Sequence, residues 1–192
     1  MISKQRWWNL LEPQWQQALC EAVFSNAGEQ DSARLDALQS LQTIRLAGPS
    51  APFPNVSFEL TNLSGLQFLP SLSIVIITHH KIENIEVLQG LSNLKSLFLT
   101  DNVITSLKGI EDITGLEQLY VQSNQINSIK PIERLVNLKE FYINDNCIDS
   151  LDGLTEAHAE LLNKFVCRPN PMLKQKEIIR VERELGIICR SA

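Results

Sequence analysis

Leu94-Lys-Ser-Leu97-Phe-Leu99-Thr-Asp-Asn102-Val-Ile104 decides the fold, because the same arrangement returns 22 residues later. It reappears as Leu116-Glu-Gln-Leu119-Tyr-Val121-Gln-Ser-Asn124-Gln-Ile126, and again as Leu138-Lys-Glu-Phe141-Tyr-Ile143-Asn-Asp-Asn146-Cys-Ile148. One step before it, the chain reads Leu72-Ser-Ile-Val75-Ile-Ile77-Thr-His-His80-Lys-Ile82. A fixed period of this length is the mark of a stacked repeat architecture and takes precedence over local propensity.

Within one copy the pattern has a physical reading. Side chains alternate along a strand, so Leu97 and Leu99 point inward and Phe98 between them faces out. One repeat cannot bury its leucines alone; successive copies stack their strands as a parallel sheet and close a shared core. The return half, Ile104-x-x-Leu107-x-x-Ile110-x-x-Ile113, has the three-residue spacing of a 3₁₀ turn. The asparagine stands where the chain leaves the strand. Its amide donates and accepts at once, so Asn102, Asn124, Asn146 and Asn170 are expected to form a ladder that satisfies buried turn groups. His80 takes that place in the Leu72 repeat, and its imidazole is expected to replace one of the amide's hydrogen bonds.

The frame extends on both sides. Leu35, Leu38, Leu41, Ile44 and Leu46 match Ile110, Ile113, Leu116, Leu119 and Val121, and the last copy runs from Leu162 to Met172. Six repeats are therefore expected over 35–172, with an irregular loop about 47–55, where three prolines and a glycine exclude a regular element. Residues 1–34 read as a helical N-terminal cap. Pro13 is tolerated in a first turn, Trp15, Leu19, Ala22 and Val23 follow at helical spacing, and Asn26-Ala-Gly28 ends the run. Asp31 is placed to cap a second helix. Trp7, Trp8 and Trp15 are read as a cover for the first repeat, since the terminal units of a solenoid need an atypical outer layer. Residues 173–192 read as a C-terminal capping helix, with Ile178, Val181 and Leu185 on one side and Gly186 as its stop. The whole chain is then a single domain.

The pattern L-x-x-L-x-L-x-x-N-x-[LI] over Leu35 to Met172 resembles the leucine-rich repeat. Copies of this length are similar to those of internalins and of the leucine-rich regulatory subunit of a protein phosphatase. The tryptophan-bearing cap resembles caps on bacterial leucine-rich repeat proteins. The resemblance implies an α/β right-handed leucine-rich repeat solenoid, with the parallel β-sheet on the concave face and short helical or 3₁₀ segments on the convex face. It also implies a protein-interaction module, with a non-catalytic regulatory subunit of an enzyme such as a phosphatase as the alternative.

Composition agrees with a folded binding domain. Apolar residues make up 44% of 192 and charged residues 20%, and the net charge of −5 argues against nucleic acid as a partner. Cys20, Cys147, Cys167 and Cys189 show neither metal-ligand nor disulfide-framework spacing. The N-terminal residues lack a secretory apolar run, and no window reaches the length of a membrane span. A cytoplasmic protein without membrane contact is the expectation, with secretion by a route lacking a cleaved signal left open.

Function is sought in the positions the motif leaves free. The outward residue between the strand leucines is Arg45, Ile76, Phe98, Tyr120, Tyr142 and Val166. The last five form an apolar and aromatic stripe of the kind that marks interaction sites. Beside it run Thr78, Thr100, Gln122, Asn144 and Arg168, then His79, Asp101, Ser123 and Asp145, a polar rim for an apolar centre. Ile76, Phe98, Tyr120, Tyr142, Val166, His79, Asp101, Gln122, Asn144 and Asp145 are therefore the candidate partner-binding residues. His79 is expected to pair with Asp101 across one strand spacing. No catalytic residues, metal ligands or cofactor motifs converge. The enzyme reading would rest on Cys147 or on the His79–Asp101 pair alone, and self-association through the stripe, as a weak homodimer, is the remaining rival to a monomer.

Overall fold

The computed structural model describes residues 4–24 and 32–192. Seven strands form one parallel sheet in sequence order: β1 (Thr43–Ala47), β2 (Ile74–Thr78), β3 (Ser96–Phe98), β4 (Gln118–Tyr120), β5 (Glu140–Tyr142), β6 (Lys164–Arg168) and β7 (Cys189–Ser191). The register aligns the repeats as their sequences do. Leu97 sits opposite Leu119, Leu119 opposite Phe141, and Phe141 opposite Phe165. Returns between strands are turns and short 3₁₀ segments at Ser64–Phe68, Glu86–Gly90 and Lys130–Ile132.

The repeat positions are buried almost without remainder. Leu94, Leu97, Leu99, Ile104, Leu107, Ile110 and Ile113 are each at most 1% exposed, and the same holds through the following copy. Full burial of each such side chain contributes about 1.5–3 kcal/mol. Gly109 and Gly153 begin two returns with φ of 108° and 122°, and a Cβ at either would stand about 2.5 Å from backbone of the preceding repeat.

Both ends of the stack are covered. Helices α1 (Lys4–Leu10), α2 (Pro13–Leu19) and α3 (Ser32–Gln39) precede β1, and a π turn at Cys20–Phe24 extends α2. Pro13 occupies the first turn of α2 as expected, whereas α1, which carries Trp7 and Trp8, was not foreseen. The expected stop at Asn26-Ala-Gly28 and the cap at Asp31 lie outside the described residues. Trp7, Trp8 and Trp15 are 4%, 8% and 0% exposed. Trp15 packs so closely on the first return that a Cβ on Gly65 would fall 2.2 Å from its ring. Its indole N–H donates to the carbonyl and side-chain oxygens of Asn62.

The stretch expected as a C-terminal helix holds more than that. After α4 (Glu156–Ala159) and β6, helix α5 (Gln175–Glu184) ends before Gly186, which has φ 71°, and the chain then returns to the sheet as β7. The sheet thus gains a seventh strand, β7, beyond the span of the six expected repeats.

The outer strands are relieved of their open hydrogen-bonding edges. In the irregular loop, Asn55 accepts the Ala47 N–H through its side chain at 2.7 Å, donates to the Arg45 carbonyl at 2.8 Å, and donates its own N–H to the Ala47 carbonyl. One residue thereby stands in for a missing neighbour of β1. At the opposite end Glu182 of α5 takes the N–H of Cys189 in β7. Unpaired edges invite strand addition, and side chains in these places blunt them.

Candidate functional site

The strand ends are tied by the expected asparagine ladder. Asn124 donates to the carbonyls of Val121 in its own repeat and Leu99 in the one before, and accepts the N–H of Ile104. Asn102, Asn146 and Asn170 make the same kind of bridge. Leu99, Val121 and Ile143 carbonyls each receive two asparagines from successive repeats, which uses both oxygen lone pairs.

His80 corrects the expectation made for it. Its Nδ1 accepts the Leu60 N–H at 3.0 Å and its Nε2 faces the Leu46 carbonyl at 3.3 Å. The ring therefore replaces two hydrogen bonds of the amide, one as acceptor and one as donor, in the neutral Nε2–H tautomer. Burial pushes its pKa below the usual imidazole value. His158 in α4 repeats the chemistry: it is fully buried, its Nδ1 receives the Thr155 N–H, and its Nε2 meets the Ile132 carbonyl at 3.1 Å. Its pKa is lowered, again by burial.

Arg45, Ile76, Phe98, Tyr120, Tyr142 and Val166 stand in register across the concave sheet, and Arg190 of β7 continues the row. Phe98 and Tyr120 ring centroids are 4.7 Å apart, and Tyr120 and Tyr142 are stacked at 4.2 Å. The rings are half-buried against each other, leaving a continuous aromatic surface on the open face. Ile76 at the other end is also half-exposed.

Two expected members of the face are buried instead. Val166 is 3% exposed, because it sits between the long side chains of Tyr142 and Arg190 across the sheet and of Lys164 and Arg168 along its own strand. Asn144 is 5% exposed and its amide donates to Asp145 Oδ2 at 2.7 Å. Along the same face Gln122 Oε1, Asn144 Oδ1 and Arg168 Nε, and three strands away His79 Nδ1, are buried without a hydrogen-bond partner.

The outer rim column has a backbone reason. His79, Asp101, Ser123 and Asp145 have φ of 61°, 53°, 57° and 55°. Short polar side chains tolerate this left-handed conformation best, so their recurrence reflects the turn as well as any contact. His79 Nε2 and Asp101 Oδ2 pair at 3.2 Å, as the repeat frame foretold.

A fourth column escaped the sequence reading. Two positions before the aromatic residue, on the same strand face, stand Ile74, Ser96, Gln118, Glu140 and Lys164. Ser96 donates to Gln118 Oε1 at 2.7 Å, Gln118 donates to Glu140, and the Tyr120 hydroxyl donates to the other Glu140 oxygen. Burial and the Glu140 contact together raise the Tyr120 phenol above its ordinary pKa, so it stays a donor. Lys164 Nζ lies 5.2 Å from the Tyr142 ring centroid. The parity of strand alternation was the available signal; these residues lack the leucines on both sides that made Phe98 conspicuous.

Of the cysteines, Cys147 is exposed in its turn, and Cys167 and Cys189 are buried. Contact with the Cys189 thiol and burial raise the Cys167 pKa, which leaves that sulfur a poor nucleophile. Among the described residues no helix is long and apolar enough to cross a membrane.

A one-layer parallel sheet, returns built of turns and short helical segments, and asparagine bridges at the ends of β3 to β6 define a solenoid of short repeats. Residues 70–126 match the family described as leucine rich repeat, and residues 114–156 match its two-copy description. The chain is a leucine-rich repeat protein. Its fold is similar to that of an internalin from Listeria monocytogenes, at 21% identity and a TM-score of 0.53, covering 83% of this chain and 49% of that one. It is also similar to a leucine-rich repeat protein of Leptospira interrogans, at 22% identity and a TM-score of 0.64, covering 87% of this chain and 42% of the other. The chain thus spans less than half the length of either. Comparison with curated proteins gives no match.

Proposed function

We propose that the chain is a protein-binding module whose contact surface is the concave face of its sheet. The observation that carries this reading is the ladder of Phe98, Tyr120 and Tyr142, three aromatic rings in register on a face that folding leaves open. Burying such a patch against a partner supplies the apolar centre of an interface, and tyrosine is a frequent anchor there. The rings are already stacked and Tyr120 is already pinned by Glu140, so little ordering cost remains to be met on binding. Ile76, Gln122, Asp101, Asp145 and His79 border this centre and supply hydrogen bonds and charge at its rim. Asn144 and Val166 contribute from beneath by holding their neighbours.

The test is partner capture from the native host with the wild type beside a Phe98/Tyr120/Tyr142 triple alanine variant. The variant keeps every inward leucine, so it is expected to show a native far-ultraviolet spectrum and to lose the captured protein. A folded variant that captures the same protein equally well overturns the reading.

A further inference from the structure

Three cations gather at one end of the concave face. Lys164 and Arg168 lie on β6 and Arg190 on β7, around the buried Val166. Several other cations of the repeats pair with a carboxylate in the adjacent repeat, as Lys81 does with Glu59, Lys108 with Glu86, Arg134 with Asp112, and Lys139 with Glu117, whereas Arg45 at the far end of the row donates to the Phe53 carbonyl. Among the described residues, Lys164, Arg168 and Arg190 form no such close ion pair, although Glu140 stands opposite Lys164 in register and acts on its charge. Lys164 leans over the last ring of the ladder, and Arg168 donates one guanidinium N–H to the Cys189 carbonyl while its buried Nε has no acceptor.

Lys164 and Arg190 open onto one cavity of about 360 Å³, walled also by Lys139, Glu140 and Asn163. Glu140 is the carboxylate among these residues, and its oxygens already accept from Gln118 and Tyr120. Lys139 is occupied by Glu117. Glu140 keeps its negative charge beside Lys164, so two cations against one carboxylate leave the cavity with an excess of positive charge, inside a chain whose net charge is −5.

We propose that this corner receives an acidic side chain of the protein partner, its carboxylate held between Lys164 and Arg190, while an apolar partner residue lies on the Tyr120–Tyr142 rings. The proposal rests on the concave-face reading above and adds what the partner must carry. Carboxylates form the shortest and strongest hydrogen bonds available to such cations. Spacing sets the motif. Tyr142 and Arg190 are two strands apart, about 9.6 Å at the usual interstrand distance. An extended chain advances about 3.3 Å per residue, so the acidic residue belongs about three positions from the apolar anchor.

The probe is a blocked pentapeptide, phenylalanine-serine-serine-glutamate-serine, compared with its glutamine counterpart by amide NMR titration of the whole chain. With the glutamate peptide, saturable shifts are expected at Tyr142, Val166 and Arg190. The dissociation constant is expected to rise about tenfold or more for the glutamine peptide, and equally for the glutamate peptide on a Lys164→Gln/Arg190→Gln variant. Equal binding of the two peptides, or unchanged binding by the variant, overturns the cationic corner. Loss of both peptides in a folded Tyr120→Ala variant would then show that the aromatic face binds without it. If neither peptide binds wild type the corner is also overturned, and the capture experiment with the triple alanine variant decides the concave face separately.

Discussion

Mild acid is the perturbation that best separates this chain from a repeat stack tied by asparagines alone. His80 and His158 are both buried, both accept a backbone N–H at Nδ1, and both have pKa values lowered by burial. Protonating Nδ1 would set a proton against the N–H it now accepts. The folded state therefore binds fewer protons than the unfolded chain, whose histidines titrate near 6.5. Stability from each group is complete above about pH 6.5 and is lost as pH falls below it, down to the folded pKa. The slope is about 1.4 kcal/mol per pH unit for one histidine, or about 2 kcal/mol each by pH 5 while the folded imidazole stays neutral. Glu12, Glu21 and Glu117 have pKa values lowered from 4.5, so their contributions are lost only at pH values below that. The window from pH 6.5 to 5 belongs to the histidines.

Urea unfolding followed by tryptophan fluorescence measures this directly, since Trp15 is packed on the return that precedes His80. Wild type is expected to lose up to about 4 kcal/mol between pH 7.5 and 5. In His80→Asn, which restores the amide of the other repeats, about half of that loss should vanish. A flat profile in wild type, or an unaltered slope in the variant, would refute the assignment of neutral, hydrogen-bonded rings.

Two further substitutions address the scaffold. Asn124→Ala removes a donor from two shared carbonyls and leaves the buried Ile104 N–H without an acceptor, so a loss of about 2–4 kcal/mol is expected in urea unfolding at pH 7.5. Gly65→Ala pushes a methyl into the Trp15 ring; about 1–3 kcal/mol should be lost, with a change in tryptophan emission that Gly90→Ala, where a Cβ meets nothing, does not share.

The parts of this molecule that obey a period were legible from residues alone. Leucine spacing, the asparagine bridges and the aromatic row all follow from a backbone that repeats itself, so comparing copies is equivalent to looking across the sheet. The partner of His79 was legible for the same reason. What stayed hidden depends on contacts outside the frame. β7 has three residues, follows a helix and carries no leucine signature, and without its Arg190 one flank of Val166 would lie open. Asn144 faces the same side as Gln122, yet only its neighbours' packing puts it at 5% exposure. Asn55 and Glu182 cover sheet edges from a loop and a helix, and no spacing in the sequence links either to the strand it serves.

The left-handed column at His79, Asp101, Ser123 and Asp145 has a consequence for how such a surface can diversify. A residue held at φ near 55–60° is drawn mainly from glycine and a few polar types, histidine among them, so the vocabulary open to mutation there is short. Extended positions such as Phe98, Glu140 and Lys164 face no such backbone restriction. Selection for a new partner would therefore write its changes along the strands and leave the turn column nearly unaltered. Between descendants of this chain with different ligands, the strand columns would diverge and the turns would mainly record shared ancestry.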